Sequence, residues 1–142
     1  KIFSGNEIAI DDGMVTTFRE WENQLAGAQE GMDFIVLANK AGISDWDEEE
    51  AKKAVSEHAG VFTVGHHEFM VNLNMFSMTK IPQEQGEWAA KVALEILNGV
   101  KPSTIPIIAN RRWNIYANEP LLRKAGIKLP ATLLRKAVKV RP

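Results

Sequence analysis

The chain alternates short apolar runs with amphipathic stretches, and each run predicts an element. Ile8 to Ile10 predicts a short strand ahead of a turn at Asp11 to Gly13. Thr17 followed by Glu20 has capping-box spacing, and Phe18, Trp21, Leu25 and Ala28 share one face of the helix it would open. Phe34 to Ala38 is apolar on both faces, which suits a buried strand of a parallel sheet. Ser44 or Asp45 is placed to cap a helix from about Asp47 to His58, with Ala51, Ala54, Val55 and His58 inward. Val61 to Val64 predicts a second buried strand, Glu68 to Leu73 one or two helical turns, and Met75 to Thr79 a third strand.

Farther on, Pro82 fits a first helical turn and Gly99 a helix stop. The helix between them, from about Gln83 to Leu97, carries Trp88, Val92 and Ile96 in one apolar row and Ala89, Ala93 and Leu97 in the next. The stretch from Lys101 to Asn118 is punctuated by proline and reads as extended. Asn118 can cap a short helix ended by Gly126, and Pro130 can open a last one through Leu133, Leu134, Ala137 and Val138. Strands alternating with helices predict an α/β fold, a parallel sheet flanked by helices, because parallel neighbours need crossovers. Ligands in such sheets sit beyond the carboxyl ends of the strands. That directs attention to Asn39 to Gly42, Gly65 to Glu68 and Thr79 to Pro82.

With 142 residues, 45% of them hydrophobic, the chain can build one compact core. Seventeen basic residues against eighteen acidic ones give a net charge of -1, without the clustered basic excess of a nucleic-acid partner. The basic residues between Arg111 and Arg141 alternate with Leu, Ile and Ala, as on a solvated helix face. The absence of cysteine excludes disulfide and thiol chemistry and leaves the compartment open. The longest uninterrupted apolar stretch, Phe34 to Ala38, is far short of the ~20 residues of a membrane-spanning helix. The start at Lys1, with neither methionine nor a charged-then-apolar leader, suggests a mature, processed or excised product.

His66, His67 and Glu68 are the densest chemistry in the sequence. As metal ligands they are badly spaced: adjacent histidines point in different directions, and zinc sites use i,i+4 pairs or ligands from several loops. His58, on the inward helix face, reads as a packed residue, so no metal is expected. No nucleophile elbow, P-loop or dinucleotide fingerprint is present, so neither an enzyme nor a cofactor is indicated. The acidic run of Asp45 and Asp47 to Glu50 has the ordinary explanation of helix N-terminal charge. Two readings of the histidine loop remain: the rim of a pocket for a small polar ligand, or a polar surface loop.

The segment from Thr79 to Ile107, TKIPQEQGEWAAKVALEILNGVKPSTIPI, and the segment from Asn114 to Leu134, NIYANEPLLRKAGIKLPATLL, resemble the C-terminal part of a family of periplasmic substrate-binding proteins. These serve ABC transporters, are of the tryptophan-binding-like type, and belong to the type I periplasmic-binding group. MDFIVLANKAGI and VFTVGHHE are similar to the two preceding strands and their ligand-facing loops. Lys40 departs from the pattern, because relatives often carry an acidic residue there.

The resemblance implies two α/β lobes clamping a small molecule, of which this chain holds the later half. Residues 1–74 would be the C-terminal lobe and 75–105 a crossover strand and helix packed on the absent first lobe. Residues 106–142 would return to the C-terminal lobe. It implies binding without conversion, with Asn39 and Lys40 touching polar ligand groups and His66, His67 and Glu68 forming the rim. Thr79 would lie at the crossover, and Glu68 could pair with a ligand amine. The partners implied are a small ligand and an ABC permease, in a periplasmic or extracytoplasmic setting. The alternatives are a ligand-sensing domain of a signalling protein and a small α/β enzyme. Without its lobe partner, the helix containing Trp88 would be free to mediate dimerisation.

Overall fold

The computed structural model describes residues 8–140 of the chain. Helix α1 (Phe18–Gly27) begins with the predicted capping box. The Thr17 hydroxyl accepts from the Glu20 backbone N–H at 3.3 Å, and the Glu20 carboxylate accepts from the Thr17 N–H at 3.1 Å. Strand β1 (Phe34–Val36) follows, then α2 (Glu48–Glu57). The α2 cap is Asp47, whose Oδ1 accepts from the N–H groups of Glu49 and Glu50, both at 2.9 Å. Asp45, a predicted cap, instead accepts from the Phe18 N–H at 2.7 Å and ties its loop to the start of α1. His58 is not a core residue. It sits half-buried at the C-cap, because α2 ends at Glu57.

Strands β2 (Phe62–Gly65) and β3 (Phe76–Lys80) are joined through a 3-10 helix, Glu68–Leu73. Beyond β3 come α3 (Pro82–Leu97), β4 (Trp113–Ala117), α4 (Glu119–Lys124), α5 (Ala131–Lys136) and β5 (Val138–Lys139). The five strands lie in the order β1-β2-β3-β4-β5. All neighbours are parallel except β3 and β4, which run antiparallel with Thr79 opposite Asn114 and Lys80 opposite Trp113. The expected parallel sheet flanked by helices is present, with one antiparallel pair added. The chain leaves the sheet at the carboxyl end of β3, makes its excursion through α3, and re-enters at the same edge, so β4 must run back down.

Three smaller expectations also fail. Residues 8–10 form no strand, since β1 is the sheet edge and pairs only with β2. The last helix stops at Lys136, and Val138 instead pairs with Tyr116 in β5, where a β-branched residue is at home. The strands predicted to be buried on both faces are covered on one and only partly on the other, where Phe62, Val64 and Phe76 are half-buried. Register places Ile35, Thr63, Gly65, Ser77 and Thr79 on the covered face, beneath α1, α2 and the 3-10 helix. Phe34, Val36, Phe62, Val64, Phe76 and Met78 lie on the other, where Phe34 is 45% exposed and Val36 52%.

Helix α3 stands apart from the sheet and contributes no buried residue. Pro82 occupies its first turn, and Gly99 follows its C-cap with φ 94°, a conformation that favours glycine. The Glu84 carboxylate anchors it by accepting from the N–H groups of Arg111 and Arg112, both at 3.0 Å. Trp88 and Val92 lie half-buried along a groove of about 240 Å³ shared with Val100, Thr104, Ile105 and Pro106. Ala89, Ala93 and Leu97 point into open space, with Leu97 82% exposed.

The core joins Trp21 and Leu25 of α1 to Ala51, Ala54 and Val55 of α2, and to Met70, Leu73 and Met75 around the 3-10 helix. Asn118 caps α4 by accepting from the Leu121 N–H at 3.2 Å, and Leu121 and Leu122 close the core from that side. Leu73 is fully buried where these elements meet. Leu73→Ala should therefore lower unfolding free energy by about 2–5 kcal/mol, measured by urea denaturation, whereas Leu97→Ala should change it by less than about 0.5 kcal/mol.

Candidate ligand-binding edge

The segments after β1 and β2, the end of β3 and the start of β4 gather at one edge of the sheet. Asn39 is exposed there, and its side-chain oxygen accepts from the Ala41 N–H at 2.9 Å, closing a local turn. Lys40 forms an ion pair with Glu48, and its ammonium lies 5.4 Å from the Trp46 ring centre. The Trp46 indole N–H donates to the same carboxylate at 2.9 Å. Burial alone would raise the Glu48 carboxyl, but hydrogen bonds from Lys40 and Trp46 and the charges of Lys40 and Lys52 hold it below the usual range. Trp46 in turn packs edge-on against Trp21 and Phe18, with centroids 4.9 Å and 5.8 Å away. Lys40 is thus part of a structural knot between the β1 loop and α1. Contact with a ligand would require it to share or leave Glu48.

The β2 loop is organised by aromatic stacking. The rings of His66 and His67 are 4.2 Å apart, and His67 lies nearly parallel to Phe69 at 4.9 Å. Phe69 is 51% exposed. Partial burial, then the positive charges of His67 and Lys80, lower the His66 pKa below its ordinary value. The rings form one surface and offer no shared coordination point. Among the described residues no group of three or more His, Cys, Asp or Glu is placed to hold a metal ion.

Glu68 opens the 3-10 helix, and its Oε1 accepts a 2.6 Å hydrogen bond from the Tyr116 hydroxyl. That bond, then burial and the nearby negative charge, push the Tyr116 pKa up, while the side chains of Asn114 and Thr79 act in the opposite direction. Thr79 is 1% exposed and lies beneath the rim. The Ser77 hydroxyl and the Asn74 side-chain oxygen are buried without a hydrogen-bond partner among the described residues, and the Thr79 hydroxyl is near enough to Tyr116 to act on it without a well-formed hydrogen bond. The Asn74 amide donates to the Met70 carbonyl at 2.9 Å and fills the space where a side chain at Gly65 would collide with it.

Of the residues singled out from sequence, His66, His67, Glu68 and Thr79 surround the ends of β2 and β3, while Asn39 and Lys40 sit at the neighbouring end of β1. Sequence reasoning missed Tyr116, Asn114, Ser77 and Asn74. The signal for the first two was present: in WNIYA, strand alternation puts Asn114 and Tyr116 on one face. Reading that stretch only as extended hid them.

No protein-family model matches the chain, and no curated protein matches it. Solved structures do share the fold. A conserved domain protein from Vibrio cholerae O1 biovar El Tor is 14% identical with a TM-score of 0.65, covering 97% of this chain and 46% of that one. A ligand-free, open substrate-binding protein with adhesive properties from Clostridium difficile is 16% identical with a TM-score of 0.65, covering 99% and 46%. An ABC domain from Streptococcus pneumoniae in complex with L-Trp is 16% identical with a TM-score of 0.60, covering 97% and 46%. The chain spans about half the length of these structures and shares the fold of that part of them.

Proposed function

We propose that this chain is the C-terminal lobe of an extracytoplasmic solute-binding protein that captures a small polar or amino-acid-like molecule for an ABC transporter. The observation that carries the reading is the convergence of His66, His67, Glu68, Thr79 and Tyr116 at the carboxyl edge of a mostly parallel sheet. That edge is where α/β sheets receive ligands. The flat ring surface of His67 and Phe69 beside a carboxylate and a hydroxyl suits a molecule with an apolar body and polar ends. Likeness in fold to substrate-binding proteins over nearly the whole chain supports the same reading. In this picture the molecule is held between this edge and a second lobe, and is released unchanged. Isothermal calorimetry of the full-length protein against a metabolite panel that includes the amino acids should show saturable binding of a small molecule without its consumption. Conversion of any bound compound to product would overturn the reading.

The second part of the proposal concerns α3, which would cross to that second lobe. Its exposed Ala89, Ala93 and Leu97 row is an interface without a partner in the lobe described here. In isolation the 142 residues would cover such a surface with a second copy. Sedimentation of the isolated chain should reveal a dimer at tens of micromolar, and Leu97→Glu, on the exposed row, should shift it to monomer. A monomeric wild-type chain at that concentration would contradict this.

A further inference from the structure

We infer that residues 106–110 are a β-strand without its sheet, and that their partner is an edge strand of the second lobe; this rests on the two-lobed solute-binding reading. The connection between α3 and β4, residues 98–112, is long for a compact domain and holds only one 3-10 turn, Pro102–Thr104. Its later part reads PIIAN, apolar and β-branched where an ordinary surface loop is polar. Both ends of that stretch are tied to α3. Ile105 and Pro106 line the groove beside Trp88 and Val92, and at the far end the Asn110 side-chain oxygen accepts from the Gln85 side chain at 3.2 Å. Glu84 then holds the next two N–H groups, those of Arg111 and Arg112.

Between these anchors the side chains alternate. Pro106 and Asn110 turn toward α3 and Ile108 is 40% exposed, whereas Ile107 is fully exposed and Ala109 is exposed with it. A period of two is that of a strand lying with one face on a helix. Among the described residues, none of the backbone N–H and C=O groups of residues 106–110 has a hydrogen-bond partner. A row of such groups is a template for another strand, and a sheet edge supplies donors and acceptors in the same register. A helix would not serve, because it satisfies its own backbone. Successive N–H groups of a strand point to opposite sides, and Pro106 has none to give. The side that carries the N–H groups of Ile107 and Ala109 is therefore the one that pairs. Because α3 lies on one face of this strand, its exposed row of Ala89, Ala93 and Leu97 would then cover the neighbouring strand of the same sheet.

Residue-resolved amide hydrogen exchange on the full-length protein, at high and at low protein concentration, tests the pairing. The amides of Ile107 and Ala109 should exchange on the order of 100-fold more slowly than in an unstructured chain, equally at both concentrations. Ala109→Pro removes a paired donor and should speed exchange at Ile107 by about tenfold, the scale of one hydrogen bond, whereas Ile108→Pro, on the other side of the strand, should leave Ile107 and Ala109 as they were. Free exchange at Ile107 and Ala109 in the wild type, or equal effects of the two prolines, would overturn the inference. Protection that disappears on dilution would make a second copy the partner and overturn it as well. The pairing needs no bound molecule, so the two readings fail separately. Free exchange in a protein that binds a metabolite in the calorimetric panel rejects the strand alone, whereas protection in a protein that binds nothing there supports the strand and removes the solute-binding reading.

Discussion

The connection from β2 to β3 has only the ten residues 66–75 in which to return along the sheet, near the lower limit for a parallel crossover. A 3-10 helix rises about 2.0 Å per residue, so its six residues from Glu68 to Leu73 cover about 12 Å, close to the length of β2 itself. An α-helix of the same length would fall short. The tight geometry presses Met70, Leu73 and Met75 into the core and turns the Asn74 carboxamide inward against Gly65. It also places Glu68 within reach of Tyr116, so the same constraint that closes the core fixes the chemistry of the edge.

Local signals in the sequence located most of the elements. The Thr17 and Glu20 box, Pro82 and Gly99 around α3, and Asn118 and Gly126 around α4 are all where their side chains require them. Those features act through bonds to backbone a few residues away, so a linear reading finds them. What needed the third dimension was missed or misassigned. Asp45 has a neighbouring helix to cap, yet its hydrogen bond goes to Phe18, 27 positions earlier. The direction of β4 depends on where α3 lets the chain return, and nothing in WNIYA encodes it.

The edge shows the same division. His66, His67 and Glu68 stand out because they are adjacent, whereas Tyr116 joins them only through a contact 48 residues away in sequence. Lys40 adds a contact that adjacency in sequence does not show: its ion pair with Glu48 and its place beside the Trp46 ring couple the β1 loop to the aromatic cluster of Phe18 and Trp21.

Two features of the structure run against packing economy. Apolar side chains remain half-exposed on the open sheet face and along α3, although burying one such side chain is worth about 1.5–3 kcal/mol. Hydroxyls of Thr79 and Ser77 are buried beneath Tyr116 without well-formed hydrogen bonds, although a buried unsatisfied polar group costs about 1–3 kcal/mol. A sequence selected only for the stability of this fold would replace Thr79 by Val and Leu97 by Lys. The chain thus keeps a polar group where its core prefers an apolar one, and an apolar group where solvent prefers a charge, so neither position is explained by the packing around it.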